Sequence, residues 1–163
     1  MAFVGTGCGL INYGVVLSYD PQTNVEQLKR AGVVKVRVEV SDARPVRDQV
    51  GYITGNWGMK IAPIIPQNDV ADLLKRAIET ELKDRGFELA NGPVQVLAEL
   101  SKYYSDFKFD LGSTETTGVA EVVMNIQVKK ADQTIYSKLI AGEYKTTYVR
   151  LPGGKDAQIA LVG

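Results

Sequence analysis

Apolar and polar residues alternate most regularly at Val34, Val36, Val38 and Val40, with Lys35, Arg37, Glu39 and Ser41 between them. A period of two with one apolar and one charged face predicts a half-buried β-strand. The same alternation returns at Val94, Val96, Ala98 and Leu100, and the segment runs on through Tyr103 and Tyr104 to Phe107 and Phe109. It returns again at Ala120, Val122, Met124, Ile126 and Val128. Lys130-Ala131-Asp132-Gln133 then supplies a hairpin turn, and Ile135 to Val149 forms a long returning strand. Tyr13 to Tyr19 predicts a short strand closed by Asp20-Pro21, and Val50 to Ile53 a brief one. One segment changes period. Val70, Leu73, Leu74, Ala77, Ile78 and Leu82 follow the spacing of an amphipathic helix over about residues 69–85, with Asn68 or Asp69 as cap and Gly86 as stop.

The connections carry their own signals. Residues 22–32 are polar, with one helical turn expected around Val25 to Lys29. Residues 41–47 and 112–118 are polar loops. In residues 55–66, Gly55, Gly58, Pro63 and Pro66 punctuate an apolar stretch around Trp57 and Met59, which reads as a loop. After the turn Leu151-Pro152-Gly153-Gly154, residues 155–162 begin a second helix of about two turns, which reads as truncated. The order of elements predicts an α+β fold: a mostly antiparallel sheet with one main amphipathic helix packed on one face. A leader or tether over residues 1–12 precedes a single domain over residues 13–163, with no internal repeat and no interdomain linker.

Length and composition mainly exclude. The 163 residues suit one domain. Lys and Arg number 19 and Asp and Glu 19, a balance that argues against an electrostatic nucleic-acid binder. No histidine is present, which removes His-based triads, Cys-His dyads, HExxH zinc sites and histidine pH switches. No SxxK motif supplies a lysine base for a serine nucleophile, and no DxDxDG loop is present to bind calcium. Neither Gly5-x-Gly7 nor Gly153-Gly154-Lys155 has the spacing of a nucleotide loop. No pair of carboxylates lies in an apolar setting that would separate their roles. The chain therefore reads as a non-enzyme without cofactor or metal.

Two groups of residues remain as interaction candidates. Arg44 and Arg47, beside Asp42, offer an anion or carboxylate site, against the plainer reading of local pairing in a loop. Tyr52, Trp57 and Met59, together with Tyr103, Tyr104, Phe107 and Phe109, are residue types that interfaces favour, against the plainer reading of core packing at strand ends. The long strand from Ile135 to Val149 also has mixed faces suited to edge-to-edge pairing with another subunit.

The single cysteine, Cys8, follows Gly5-Thr6-Gly7, small residues of the kind that precede the modified cysteine of a bacterial lipoprotein. Gly5 stands where that motif usually has Leu, and only Met1 to Val4 precede it, without a charged and then an apolar region. Either an export signal has been removed or Cys8 is an ordinary residue of a Gly-rich leader. Further along, the valine strand running into Ser41-Asp42-Ala43-Arg44-Pro45, then Val50-Gly51, the helix opening Asp69-Val70-Ala71-Asp72-Leu73-Leu74, its close Leu82-Lys83-Asp84-Arg85-Gly86-Phe87, and the strand pair over residues 119–142 resemble the YajG family of bacterial outer-membrane lipoproteins. The resemblance covers about two thirds of the chain, residues 36–144. It implies a periplasmic domain tethered to the outer membrane by a lipidated cysteine at Cys8, continuing into a C-terminal helix, with no assigned enzymatic activity.

These readings converge on a lipid-anchored, non-enzymatic envelope protein on the periplasmic side of the outer membrane. It would act as a structural or accessory subunit of an envelope assembly, of secretion type among others, through contacts with other envelope proteins or with its own copies. The alternative is a module for a small ligand or lipid, with residues 55–66 as a pocket wall.

Overall fold

The structure is a computed structural model and describes residues 12–29, 31–109 and 115–149. In chain order the elements are β1 (Tyr13–Val15), β2 (Lys35–Asp42), β3 (Gly51–Thr54), β4 (Lys60–Pro66), α1 (Val70–Asp84), β5 (Glu88–Leu89), β6 (Val94–Phe109), β7 (Glu115–Lys130) and β8 (Gln133–Val149). All eight strands form one sheet, with β6 at its centre. One edge of β6 pairs in parallel with β2 over residues 94–100 and with β3 over residues 105–108. Its other edge pairs antiparallel with β7, which pairs antiparallel with β8. The α+β class holds, but the sheet is mixed. The long ladders are antiparallel, whereas β1–β4, β2–β5, β2–β6 and β3–β6 are parallel. β2 and β3 follow one another in the same direction along one edge of β6, and α1 carries the chain on from β4 to the end of the sheet where β2 starts, so β6 runs parallel to both.

Alternation decides which face is buried. Val36 and Val38 are 2% and 4% exposed and pack with Val96 under Ile78, Leu82 and Phe87, while Lys35, Arg37 and Glu39 stand in solvent. A second cluster joins Leu17, Val50, Ile64, Val70, Leu100 and Tyr103. In β6 the buried positions change from even (Val96, Ala98, Leu100) to odd (Tyr103, Ser105). A bulge makes this change without breaking the apolar face: Leu100 pairs with Met124 and Lys102 with Val123, so Ser101 is the extra residue. Helix α1 starts at the N-cap Asp69, whose carboxylate accepts from the Asp72 N–H at 2.8 Å, and stops at Gly86, which has φ +94°.

Several expectations change. Residues 55–66 are not a loop: a 3-10 turn at Asn56–Gly58 leads into β4. The prolines do not prevent this strand, because Pro63 comes one residue before β1 begins to pair at Ile64 and Pro66 is its last residue. The first strand ends at Val15 rather than Tyr19, and the helical turn expected at residues 25–29 is replaced by a 3-10 turn at Ala31–Val33. Glu115 to Gly118 belong to β7 rather than to a loop. All of the expected leader 1–12 except Asn12, and the expected second helix at residues 155–162, lie outside the described residues.

β3 reaches β6 through a glycine. Gly51 has φ +155°, and a Cβ there would fall inside the Ser105 carbonyl group. The Ser105 N–H donates to the Val50 carbonyl at 2.6 Å across the same contact. Gly51→Ala is therefore expected to lower stability by about 3 kcal/mol or more, read as a shift in the urea midpoint. A variant as stable as the parent would show that β3 can move away from β6 at little cost.

Candidate functional site

The loop after β2 is closed by Arg44, whose side chain is 4% exposed. Its Nε donates to both Asp42 carboxylate oxygens at 2.9 and 3.1 Å, and its Nη2 to Oδ2 at 2.7 Å. The remaining donors reach the carbonyls of Gln49 and Arg47, each at 3.3 Å. Arg44 thus binds its own loop. Burial alone would raise the Asp42 carboxyl, but the Arg44 hydrogen bonds and charge, with the charge of Arg47, outweigh it and hold Asp42 below its ordinary value. Arg47 stays exposed and borders a cleft of about 400 Å³ with Asp48, Gln67, Asn68 and Asp69.

The aromatic candidates separate into three environments. Tyr103 (6% exposed) is buried and Phe107 packs against the same core beside α1. The Tyr103 hydroxyl finds no hydrogen-bond partner among the described residues, and burial pushes its pKa up to about 12 against the opposing pull of Arg44. Tyr52 and Tyr104 are half-buried on the opposite face. There the Tyr52 hydroxyl accepts from Gln49 at 2.7 Å and Lys60 Nζ sits 4.0 Å from the ring centroid. Trp57 and Met59 stand on the β3–β4 turn, 101% and 67% exposed. Trp57 adopts left-handed backbone, φ 59° and ψ 21°, and Gly58 follows at φ +75°. The turn is closed by the Gly55 N–H donating to the Met59 carbonyl at 2.8 Å. Phe109 ends β6 with a side chain outside the described residues, as is Cys8.

Two features lie outside these residues, one missed in the sequence and one expected from it. A mostly apolar groove of about 360 Å³ runs between α1 and the far strands, bounded by Leu73, Leu74, Ala77, Val122 and Tyr144. Its outer wall is the segment after β1. Asn68 fixes that segment by accepting from the Leu17 N–H at 2.9 Å and donating to the Leu17 carbonyl at 3.0 Å, and the Tyr19 hydroxyl donates to Glu81. Its only sequence signal is the small Ala77 among larger apolar residues on the buried helix face. The second feature is β8, the strand expected to pair edge to edge, which among the described residues pairs with β7 alone and leaves its other edge open. Ile135, Tyr136, Leu139 and Ile140 are 41–65% exposed along it.

The described residues contain no group of three or more His, Cys, Asp or Glu side chains placed to hold a metal ion. The buried Asp42–Arg44 pair under the loop sets a pH dependence. Because the Asp42 carboxyl is held down in the folded state, its stabilisation is present above the ordinary value near 3.8 and is lost as pH falls through the lower folded value. Asp42→Asn is expected to cost about 3 kcal/mol at neutral pH, by leaving Arg44 buried without its anion. The gap to the parent should close below pH 3.8. Urea titrations across that range check it, and a gap independent of pH would deny the pair this role.

Comparison with known proteins follows the architecture. A crystal structure of a Xanthomonas campestris protein of the family DUF330 superposes with a TM-score of 0.51 at 13% identity, covering 90% of this chain and 81% of that one. At that identity the likeness is one of fold. A crystal structure of an uncharacterized protein gives a TM-score of 0.37 at 8% identity, covering 88% of this chain and 84% of that one. No curated protein matches the chain. No helix among the described residues is long and apolar enough to cross a membrane. The profile of a family described as uncharacterized lipoprotein matches residues 21–161, nearly the whole chain and all of the described sheet beyond β1. The chain belongs to this lipoprotein family, the YajG family, and is thereby a membrane-anchored envelope protein.

Proposed function

We propose that the protein is a non-catalytic accessory subunit, anchored through Cys8 on the periplasmic face of the outer membrane, that joins an envelope assembly along the open edge of β8. The observation that carries this reading is the edge itself. β8 is 17 residues long, and it presents large apolar side chains on both faces where an isolated domain would place charges, a proline or a shorter strand. Lys138, Glu143 and Lys145 punctuate the strand, and within the run from Ile135 to Ile140 Lys138 is the one charge. An added strand would satisfy the unpaired backbone groups, and side chains on alternate positions would select the partner. Membership of a family without an assigned activity is in keeping with this role.

Two measurements test it. Full-length protein is expected to partition into the detergent phase and Cys8→Ser into the aqueous phase, and unchanged partitioning would remove the anchor. In mild detergent extracts of native membranes the parent is expected to migrate above its monomer mass. Leu139→Asp with Ile140→Asp should return it to the monomer while circular dichroism stays unchanged. A parent that already migrates as a monomer at native abundance overturns the assembly role.

The groove beside α1 supports a second reading, a binding module for a lipid or other small apolar ligand. Its volume of about 360 Å³ lies within the usual range for such sites, and Leu73, Leu74, Ala77 and Val122 line it. Residues 55–66, expected as the pocket wall, form the β3–β4 turn and β4 and do not line this groove. A fluorescent long-chain fatty acid should bind the parent and fail to bind Ala77→Phe. Equal binding to both would place the ligand elsewhere.

A further inference from the structure

We infer that the β3–β4 turn is a second membrane contact, a tip that enters the bilayer interface and fixes how the anchored domain stands on the membrane. Three large apolar side chains fall within five residues there: Trp57 fully exposed, Met59 67% exposed and Ile61 49% exposed. Trp57 is held outward by left-handed backbone, a conformation costly for a bulky side chain, within a closed turn between two paired strands. A rigid tip with tryptophan at its apex suits the boundary between headgroups and acyl chains, where that side chain concentrates.

The topology has β1 enter the sheet from the same end. β3 runs parallel to β6, so its end at Thr54 lies beside Lys108, near the finish of β6. β4 starts from the turn, and β1 runs parallel to it with Tyr13 opposite Ile64. The chain therefore enters the sheet heading away from the tip, with Asn12 on the tip side of Tyr13. Lys60 is four residues back along β4 from Ile64, about 13 Å. The five steps from Tyr13 to Cys8 span at most about 18 Å. A lipid on Cys8 consequently holds this end of the sheet within reach of the bilayer, and the opposite end, with the β7–β8 hairpin, points away.

Charge agrees with a phospholipid surface as the occupant. Lys60 and Lys108 are exposed beside the tip, and the nearby Asp106 carboxylate accepts a hydrogen bond from Thr54 Oγ1 at 2.8 Å. Cations on a short apolar tip meet anionic headgroups while the apolar side chains enter below them.

The inference uses the anchoring reading only for the position of Cys8, and its test does not need the cell to lipidate that residue. Trp57 is the only tryptophan in the chain, so intrinsic fluorescence reports on the tip alone. The purified chain is coupled through Cys8, its only cysteine, to maleimide lipid in vesicles of phosphatidylethanolamine and phosphatidylglycerol. Emission is expected to shift to the blue, and brominated acyl chains in the same vesicles should quench it. Met59→Ser with Ile61→Ser should reduce the quenching about threefold or more without changing the amount of tethered protein. Emission that keeps its aqueous position on tethering, with no quenching, overturns the membrane contact and leaves the tip for a protein partner. Failure of the anchor would appear separately, as unchanged partitioning of Cys8→Ser.

Discussion

The structure depends on β6 keeping one apolar face along 16 residues. That strand joins β2, β3 and β7 to one another, and both buried clusters include its residues. Strict alternation would turn Tyr103, Ser105 and Phe107 to the wrong side after Leu100. The single extra residue at Ser101 prevents this by resetting the alternation where β2 stops and β3 has yet to begin. Everything packed on β6 inherits that correction, from the valines of β2 at one end to Val50 and Ile64 at the other.

Around this strand, polar contacts fix the segments that alternation leaves free. Asp42 and Arg44 close the loop between β2 and β3, delivering Gly51 to the one place where it can lie against the Ser105 carbonyl. Asn68 ties the segment after β1 to the start of α1, and Tyr19 ties its continuation to Glu81. Those bonds form the wall of the apolar groove, so the cavity follows from how the chain is fastened rather than from missing volume in the core. Tyr103 lines the same groove and is held there by packing, since its hydroxyl gains no hydrogen bond among the described residues.

The elements legible in the sequence were those with one regular period. Val36, Val38 and Val40 specify a strand by themselves, and Leu73, Leu74, Ile78 and Leu82 a helix, because burial of one face is a local pattern. What escaped was set by neighbours. Pro63 and Pro66 read as breaks in a loop, and only the position at which β1 begins to pair makes them tolerable in β4. The parallel pairing of β2 and β3 with β6 depends on how α1 and the connections turn the chain, which alternation does not record. Among the candidate residues the same limit applied: Tyr103 and Tyr104 are adjacent and alike in sequence, yet the bulge turns one into the core and the other toward the opposite face. For Arg44 the sequence left an anion site and local pairing both open, and the carbonyls of Gln49 and Arg47 with the carboxylate of Asp42 give it the local pairing.

The β7–β8 hairpin has a mechanical meaning as well as a structural one. Its two strands are paired without interruption except for one bulge, from Glu115 beside Val149 to the turn at Ala131 and Asp132. At about 3.3 Å per residue the ladder is about 50 Å long. With the Trp57 end seated on a bilayer, Ala131 and Asp132 would stand that far into the aqueous compartment on a stiff support. Seated so, the protein would act as a gauge: it would meet whatever joins β8 at heights fixed by strand length, and inserting or deleting paired residues would change those heights in steps.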